Sequence, residues 1–316
     1  MLSLLRRRPE RGSLLAVCPQ PTGVAAALVR QRPGQRPVLR FAEFLEAADT
    51  RARSAAFEQI AKRRGLPLVA ATSSVNIGDY SLVLVDTPDV PPEELRAAVR
   101  WRVNELIDFH VDDAVIDVFD VPTASGERGN RMYAVAARMS LVKPLIDSLV
   151  AAGLALEYVD IPEFAIRNLA ALLPEDDGGI ASIYLEADRG LITLTRRGTL
   201  YLSRRLDYGS TRLFGGATEV TPDMEGRLDA LVIEVQRSLD YYESHFSQPT
   251  VKGVVLSPLV EPVAGLPEYL QSQLGLPTRV LDLDEILDHE KPLPAELQTR
   301  CITAIGAALR QDEVIL

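Results

Sequence analysis

The chain has 316 residues, of which 47% are hydrophobic and 25% are charged. This length predicts two domains, each with enough apolar residues for a buried core. The 44 acidic and 34 basic residues give a formal net charge of −10, which argues against a nucleic-acid-binding protein because such proteins normally carry a basic face. The cysteines and histidines show no spacing typical of a metal site. No apolar run approaches the ~20 residues that a membrane-spanning helix needs.

The first part of the chain predicts a small sheet. Residues 13–45 alternate apolar stretches with turn residues, in the order strand, turn, strand, turn, strand. A helix is predicted over residues 52–64, and two further strands follow in PLVAATSS and YSLVLVD.

A separate unit is predicted between Pro91 and Leu154. Its start, Pro91-Pro92-Glu93-Glu94, is typical of a helix N-terminus, because proline suits the first turn and glutamates there complement the helix dipole. The apolar face of this helix extends to Leu106 and Ile107. The segments DAVIDVFDV and RMYAVAAR predict a strand pair, and a second helix follows them. The pattern therefore predicts a helix–strand–strand–helix subdomain.

The second half of the chain begins like the first. A strand, a helix over residues 162–173 and the acidic segment PEDDGG lead to residues 180–207, which repeat the order strand, turn, strand, turn, strand. Two halves with the same pattern indicate a duplicated architecture. A long amphipathic helix from Leu228 to Phe246, a strand in VKGVVLSP, a helix in LPEYLQSQLGLP and a strand at TRVL follow. In the last predicted helix, Gly306 would let another backbone approach closely.

Four stretches carry a resemblance to a known family: VPPEELRAAVRWRVNELIDFHVDDAVIDVFDVP, YLEADRGLITLTRRGTLYLSRRLDYGS, IEVQRSLDYYESHF and AIGAALR. In order and spacing they resemble the PilM-like type IV pilus assembly proteins of the actin-like ATPase superfamily, and most nearly the MshI proteins of the MSHA pilus system. The resemblance implies an α/β, actin-like (ribonuclease H-like) two-domain fold, with the inserted subdomain in the first domain. The implied boundaries are 1–174 for the first domain, with the insertion at about 88–154 and the C-terminal helix 294–316 joining it, and 175–293 for the second.

The resemblance also implies a role and partners. PilM-type proteins are cytoplasmic and bind the short cytoplasmic tail of a PilN-like inner-membrane protein, in a platform that links the pilus motor to the pilus. We therefore expect a cytoplasmic scaffold that is peripheral to the inner membrane through this partner, with the motor ATPase and self-association as further contacts. The cytoplasmic GspL regions of type II secretion are a related alternative; in them a membrane helix follows the actin-like part, and none is predicted here.

The family's nucleotide site is built from two phosphate loops, each with an Asp and glycines, and a third loop with two glycines at the adenosine. The matching loops here are AVCPQPTG, LEADRG and VVLSPLVEP. Prolines in the first and third loops have no N–H to donate, the first loop has no carboxylate, and Asp188 stands beside Arg189, which could pair with it. The candidate residues that match the family's site are Thr22, Gly23, Glu186, Asp188, Gly190 and Ser257.

These departures predict a degenerate nucleotide site. Each lost charge-assisted hydrogen bond to phosphate weakens binding by roughly 1.5–3 kcal/mol. We therefore expect no cofactor, no catalytic residue and no ATP hydrolysis. The alternatives are an ATPase that binds ATP and Mg²⁺ through Glu186 and Asp188, and an enzyme that uses the interdomain cleft for a different small molecule.

Trp101, the one tryptophan in the chain, lies off the apolar face of its predicted helix. It has two interpretations: it packs under a loop of the inserted subdomain, or it anchors a partner peptide, because tryptophan is favoured at interface hot spots. The further candidates for partner binding are Arg102, Glu105 and Phe109, on the same helix and its exit, and Tyr133 on the neighbouring strand.

Overall fold

The computed structural model describes residues 12–63, 66, 69–121, 131–289 and 292–311. The chain forms two compact units. Unit 1 contains the described residues of Met1–Asn76, Lys143–Ala165 and Leu283–Gln311, and unit 2 contains those of Ile77–Val142 and Ile166–Asp282. Residues 77–142 thus group with the second half of the chain. The boundaries 1–174 and 175–293 follow the family's chain order and stay a prediction.

Unit 1 is built on a five-stranded sheet with the order β3-β2-β1-β4-β8. β1 is antiparallel to β2 and parallel to β4, so it is the central strand and its middle is buried throughout. The strands are β1 Ser13–Gln20, β2 Gly23–Arg30, β3 Val38–Glu46, β4 Ala70–Ser74 and β8 Ala155–Asp160.

Helices cover both faces of this sheet. On one face, α1 (Thr50–Ala61) buries Phe57 and Ile60 against alternate residues of β1 and β2. The Asp49 carboxylate caps α1 by accepting a hydrogen bond from the Ala52 N–H at 2.8 Å, which satisfies one of the free donors of the first turn. Sheet and helix together form the core of unit 1.

The last helix, α8 (Ala295–Ala308), packs against β1, β2, β3 and β4. All its residues from Cys301 to Ala308 are buried, because it is covered on more than one side. Besides the sheet, it contacts α4 (Pro162–Ala170), where a Cβ added to Gly306 would lie 2.9 Å from the Cα atom of Ala165. The predicted close approach at Gly306 is confirmed.

Unit 2 repeats the sheet of unit 1. Its order is β11-β10-β9-β12-β13, with β9 antiparallel to β10 and parallel to β12. The duplicated strand pattern that the sequence predicts is therefore present, with β9 in the central position of β1. The strands are β9 Ile180–Leu185, β10 Gly190–Arg196, β11 Thr199–Leu206, β12 Gly253–Leu256 and β13 Thr278–Val280.

Further helices complete unit 2. The long helix α6 (Glu225–Phe246) buries one face, from Leu228 to Tyr242, in the main apolar core of this unit. The short α5 (Ser210–Phe214) and α7 (Leu266–Leu274) lie before and after it in the chain. Among the described helices, none is long and apolar enough to cross a membrane.

The inserted segment forms a three-stranded sheet of order β5-β7-β6 with α2 packed on it. Compared with the predicted unit, this sheet has one further edge strand, β5. Helix α3, which was predicted as part of the unit, places Leu149 in the core of unit 1. The helix α2 ends at Asn104, two residues before Leu106, and this leaves Leu106 53% exposed although the apolar pattern includes it. The elements are β5 Tyr80–Asp86, α2 Pro92–Asn104, β6 Ala114–Asp120, β7 Arg131–Arg138 and α3 Met139–Ala151.

The contact at Gly306 yields a stability prediction. The Gly306→Ala variant should lower the free energy of unfolding by about 1–3 kcal/mol, because its methyl group overlaps the backbone of Ala165, which cannot swing away as a flexible side chain would. Chemical denaturation measures the change.

The matched control is Gly226→Ala in the first turn of α6, where an added Cβ meets nothing within 4 Å. It should be neutral or stabilising by up to about 1 kcal/mol, since alanine is the better helix former. Equal effects of the two substitutions would contradict close packing at Gly306.

Candidate nucleotide and partner sites

The first candidate loop is the tight turn between β1 and β2. Gln20 pairs with Gly23, so Pro21 and Thr22 form the turn itself. The Thr22 carbonyl accepts a hydrogen bond from the Ala47 N–H at 3.0 Å. The Arg53 guanidinium donates to the Pro21 carbonyl at 3.2 Å. The turn is thus held by the chain's own donors.

Gly23 has a packing role in this turn. A Cβ added there would lie 2.5 Å from a ring atom of Phe44 on β3, so the absence of a side chain lets that ring lie across the strand pair. Real Cβ atoms do not come so close to other heavy atoms, and a larger residue would displace the ring. Gly23 is therefore explained without a phosphate.

The second candidate loop is the turn between β9 and β10. The Glu186 N–H donates to the Arg189 carbonyl at 2.8 Å, and the Tyr184 hydroxyl donates to Glu186 Oε1 at 3.2 Å. Burial raises the pKa of the Glu186 carboxyl above its ordinary value of 4.5, although the Tyr184 hydrogen bond and the Arg189 charge oppose the shift. Asp188 is exposed.

The sequence leaves open whether Arg189 pairs with Asp188, and the structure shows no ion pair between these two described residues. The Arg189 guanidinium instead donates a hydrogen bond to the Ile77 carbonyl and fills the space beside Gly78, where an added Cβ would collide with it. Gly78 also has a φ of +92°, which L-residues rarely adopt. A protein cation thus lies beside the Glu186 carboxyl, where the family places Mg²⁺.

The backbone around the second loop is also engaged. The N–H groups of Ser210 and Thr211 donate to the carbonyls of Glu186 and Ala187, at 2.8 and 2.9 Å. A Cβ added to Gly190 would lie 2.7 Å from the Leu185 side chain and 2.8 Å from the Tyr184 carbonyl. Like Gly23, Gly190 leaves room for protein atoms.

Ser257, in the third candidate loop, follows β12. It is 5% exposed, and its N–H donates to the Ile183 carbonyl at 2.9 Å, which continues the pairing of β12 with β9. Pro258 follows it and has no N–H. The backbone of this loop therefore completes the sheet.

The residues present do not fit the family's way of holding a magnesium nucleotide. Thr22 and Gly23 lie in unit 1, and the other candidate residues in unit 2. The spaces beside both loop glycines are filled by protein atoms, and the N–H groups of Glu186 and Ser257 have protein acceptors. These contacts favour the degenerate-site hypothesis, which stays a prediction.

Trp101 is the most exposed large apolar side chain among those described, at 81%. This exposure disagrees with the interpretation that it packs under a loop and leaves the partner-binding interpretation as the prediction. On the same helix, the Arg102 guanidinium lies 3.8 Å from the Asp86 carboxylate, and Glu105 is exposed. Phe109 is half-buried, with the Arg138 guanidinium 4.2 Å above its ring.

Tyr133 is corrected by the structure. Its side chain is 3% exposed, its hydroxyl donates to the Tyr201 carbonyl at 3.2 Å, and its ring stacks on Phe119. The residue joins the small sheet to the main core of unit 2 and is not available at the surface. Leu106 and Met139 are apolar but 53% and 47% exposed. Their exposure was not predicted, because helical spacing alone does not show where packing against a helix face ends.

Solved structures with a similar fold are known. The chain is similar to a chain of a PilM–PilN type IV pilus biogenesis complex, with 20% identity and a TM-score of 0.69 over 94% of this chain and 97% of that one. The chain has an actin-like fold. This confirms the predicted fold class, and an identity this low shows the fold alone.

Two other solved structures match with lower scores. The cytoplasmic domain of EpsL, an inner-membrane component of the type II secretion system of Vibrio cholerae, has 13% identity and a TM-score of 0.49 over 91% of this chain and 93% of that one. MreB5 of Spiroplasma citri bound to ADP has 10% identity and a TM-score of 0.46, over 94% and 95%. Scores below 0.5 support no argument about this chain. No family model and no curated protein matches it.

The half-buried Glu186 carboxyl yields a pH-dependent prediction. Because burial raises its pKa in the folded state, the folded protein binds the proton more tightly than the unfolded chain does. The stability cost of the charge is therefore absent below the ordinary pKa of 4.5 and grows as the pH rises through the folded-state pKa. Glu186→Gln keeps an acceptor for Tyr184 and should be more stable than the wild type at pH 7.

Urea denaturation of both proteins between about pH 4 and pH 7 measures this effect. The advantage of Glu186→Gln should disappear toward the acidic end. Asp240→Asn, at an exposed position on α6, is the control and should leave stability unchanged. A Glu186→Gln variant that is less stable at pH 7 would show that the ionised carboxylate stabilises the turn.

Proposed function

We propose that the chain is a cytoplasmic actin-like scaffold of type IV pilus biogenesis, of the MSHA type, that binds the cytoplasmic tail of a PilN-like inner-membrane protein. It works by protein–protein contact, without ATP hydrolysis, and is peripheral to the inner membrane through its partner. Support comes from the family resemblance of the sequence and from the fold similarity to a chain of the PilM–PilN complex over 94% of this chain. The MSHA assignment rests on the sequence resemblance. The motor ATPase and a second copy of the chain are further proposed partners.

The observation that carries the proposal is the exposure of Trp101 on α2. An indole that is 81% exposed leaves a large apolar surface in water, and its burial by a partner would be favourable at roughly 25 cal/mol per Å². The core-facing residues of α2, such as Val99 and Val103, are fully buried. The helix is thus fixed by its other face, and Trp101 stands on a rigid support, which lowers the entropy cost of binding.

Two arginines on α2, the helix that carries Trp101, form exposed ion pairs that a peptide could exchange. The ion pairs Arg96–Asp117 and Arg100–Asp112, at 3.3 and 3.0 Å, have mostly exposed side chains. Exposed ion pairs contribute only about 0–1 kcal/mol, so exchanging a protein carboxylate for one from a peptide costs little. The surface suits a tail that combines an apolar side chain with charged neighbours.

The competing function is an ATPase or ATP sensor. Glu186 and Asp188 are the carboxylates that would have to hold Mg²⁺, while the Arg189 guanidinium lies beside Glu186 and adds a positive charge there. Calorimetric titration of the chain with Mg²⁺-ATP should give no binding, or a Kd in the millimolar range, because the loop amides with protein acceptors cannot also hold phosphate. A micromolar Kd would establish the competing function.

Trp101→Ala tests the proposed partner site. The probe is a synthetic peptide with the sequence of the cytoplasmic tail of the PilN-like protein encoded with this chain, and its affinity is measured by fluorescence anisotropy. The substitution should raise the Kd about ten-fold or more and leave thermal stability nearly unchanged, because the side chain is 81% exposed. Val260→Ala, another strongly exposed apolar position at 65%, is the matched control and should keep wild-type affinity.

The possible outcomes distinguish the proposed function from the proposed location of the peptide site. If the wild-type chain does not bind the tail peptide, the proposed function is wrong. If it binds and Trp101→Ala binds equally well, the function stands and the site lies elsewhere.

A further inference from the structure

The inserted segment that carries Trp101 is strongly acidic. Residues 77–142 contain 12 acidic and six basic residues, so their formal net charge is −6. The whole chain has a net charge of −10, and this segment, about a fifth of its length, therefore holds more than half of the acidic excess. Charge of one sign that is concentrated in one part of a surface attracts ligands of the opposite sign.

Helix α2 has an exposed face opposite its buried one. With about 3.6 residues per turn, Trp101 lies on the far side of the helix from the buried Val99. Glu94, Ala97, Trp101 and Glu105 follow one another at intervals of three or four residues, which places them on one face, and all four are exposed. These four residues form the outer face of α2, with a carboxylate on each side of the indole along the helix axis.

The three arginines of α2 do not neutralise this face, because each of them pairs with a carboxylate outside the helix, at 3.0 to 3.8 Å. The pairs are Arg96–Asp117, Arg100–Asp112 and Arg102–Asp86. Among the described residues, neither Glu94 nor Glu105 forms an ion pair. A carboxylate at each end of the outer face is therefore available to a positively charged group of another molecule.

The charges on α2 favour a basic ligand over an acidic one. A basic peptide meets carboxylates that have no ion pair, whereas an acidic peptide has to displace the carboxylates that already pair with the arginines. Cytoplasmic segments beside a membrane helix carry an excess of Lys and Arg, so the tail of an inner-membrane protein has the matching composition. An apolar side chain in the same segment would cover the exposed indole of Trp101.

We propose that the outer face of α2 binds a basic peptide, in which an apolar side chain contacts Trp101 and Lys or Arg side chains pair with Glu94 and Glu105. At about 1.5 Å per residue, Glu94 lies roughly 10 Å and Glu105 roughly 6 Å from Trp101 along the helix axis. An extended peptide rises about 3.3 Å per residue. Its cations therefore lie about three positions from the apolar residue on one side and about two on the other. The inference rests on the proposed function, which it extends by naming the chemistry of the tail.

Intrinsic fluorescence reports on this surface alone, because Trp101 is the one tryptophan of the chain. The probes are the tail peptide of the PilN-like protein encoded with this chain, with any tryptophan of its own replaced by phenylalanine, and the same peptide with every Lys and Arg replaced by Gln. The tail should shift the emission maximum to shorter wavelength, because the indole leaves water. The Gln version should bind about five-fold more weakly or worse in low salt.

Charge reversal on the protein is the second arm of the test. Glu94→Lys and Glu105→Lys should each raise the Kd of the tail about three-fold or more in low salt, and the effect should shrink as salt screens the exposed charges. Glu268→Lys is the matched control, because Glu268 is also an exposed glutamate in the first turn of a helix, α7. It makes the same change in net charge and should keep the wild-type affinity. Thermal melts check the fold of each variant.

Two results would overturn the proposal and leave the proposed function standing. One is a tail that binds without changing the emission of Trp101. The other is a tail whose affinity is the same with and without its Lys and Arg residues, and the same for Glu94→Lys and Glu105→Lys as for the wild type.

A wild-type chain that does not bind the tail would show instead that the proposed function is wrong. The surface is then tested by itself with a peptide of alternating Leu and Lys, which should shift the emission of Trp101 more than a peptide of alternating Leu and Glu does. Glu94→Lys should reduce that shift, and Glu268→Lys should leave it unchanged. Equal responses to the two peptides would overturn the basic-peptide site as well.

Discussion

The structure depends on two central strands, β1 and β9, that are buried on both faces. Each is antiparallel to one neighbour and parallel to the other, so each fixes the register of a whole sheet. A strand covered on both faces is predominantly apolar, and β9 is buried at every residue and has one small polar residue, Ser182. The requirement extends into the turns that follow these strands. Gly23 and Gly190 stand where neighbouring side chains and carbonyls come too close for any Cβ, so packing of the sheets dictates the residues that a phosphate loop would otherwise use.

The polar and charged groups of the turn between β9 and β10 are also engaged by the protein itself. A phosphate loop needs free N–H groups and an unpaired carboxylate for the metal. The Glu186 N–H instead closes its own turn, its half-buried carboxyl accepts a hydrogen bond from the Tyr184 hydroxyl, and the Arg189 guanidinium donates to the Ile77 carbonyl. In each case a group of the chain itself takes the position that phosphate or Mg²⁺ would take in a nucleotide site. Under the proposed function, the geometry of this turn is the same with and without nucleotide.

The sequence predicted the sheets well because their signal is local. Buried strands and tight turns give apolar runs separated by Gly, Pro and polar residues, and the same pattern in both halves predicted the repeated topology that the structure has. Features set by long-range contacts were harder to predict. Alternation along β7 could not say that Tyr133 is covered by Tyr201, which is 68 positions away. Helical spacing could not say that α2 ends before Leu106, and nothing near Asp288 in the sequence indicates that it bridges to Val38.

Exposed surfaces of the chain differ in how rigidly the helices and strands beneath them are fixed. Trp101 lies on a helix whose other face is buried, so its position is defined although its side chain is mostly exposed. Strand β3, by contrast, changes register against β2 between Leu39 and Phe41, so its outer edge is not a regular surface of this kind. The Trp101 surface does not need to be ordered by a partner, so the entropy cost of association is low there. A scaffold that binds by contact alone benefits most from such preorganised surfaces, because no ligand-driven change supplies energy for assembly.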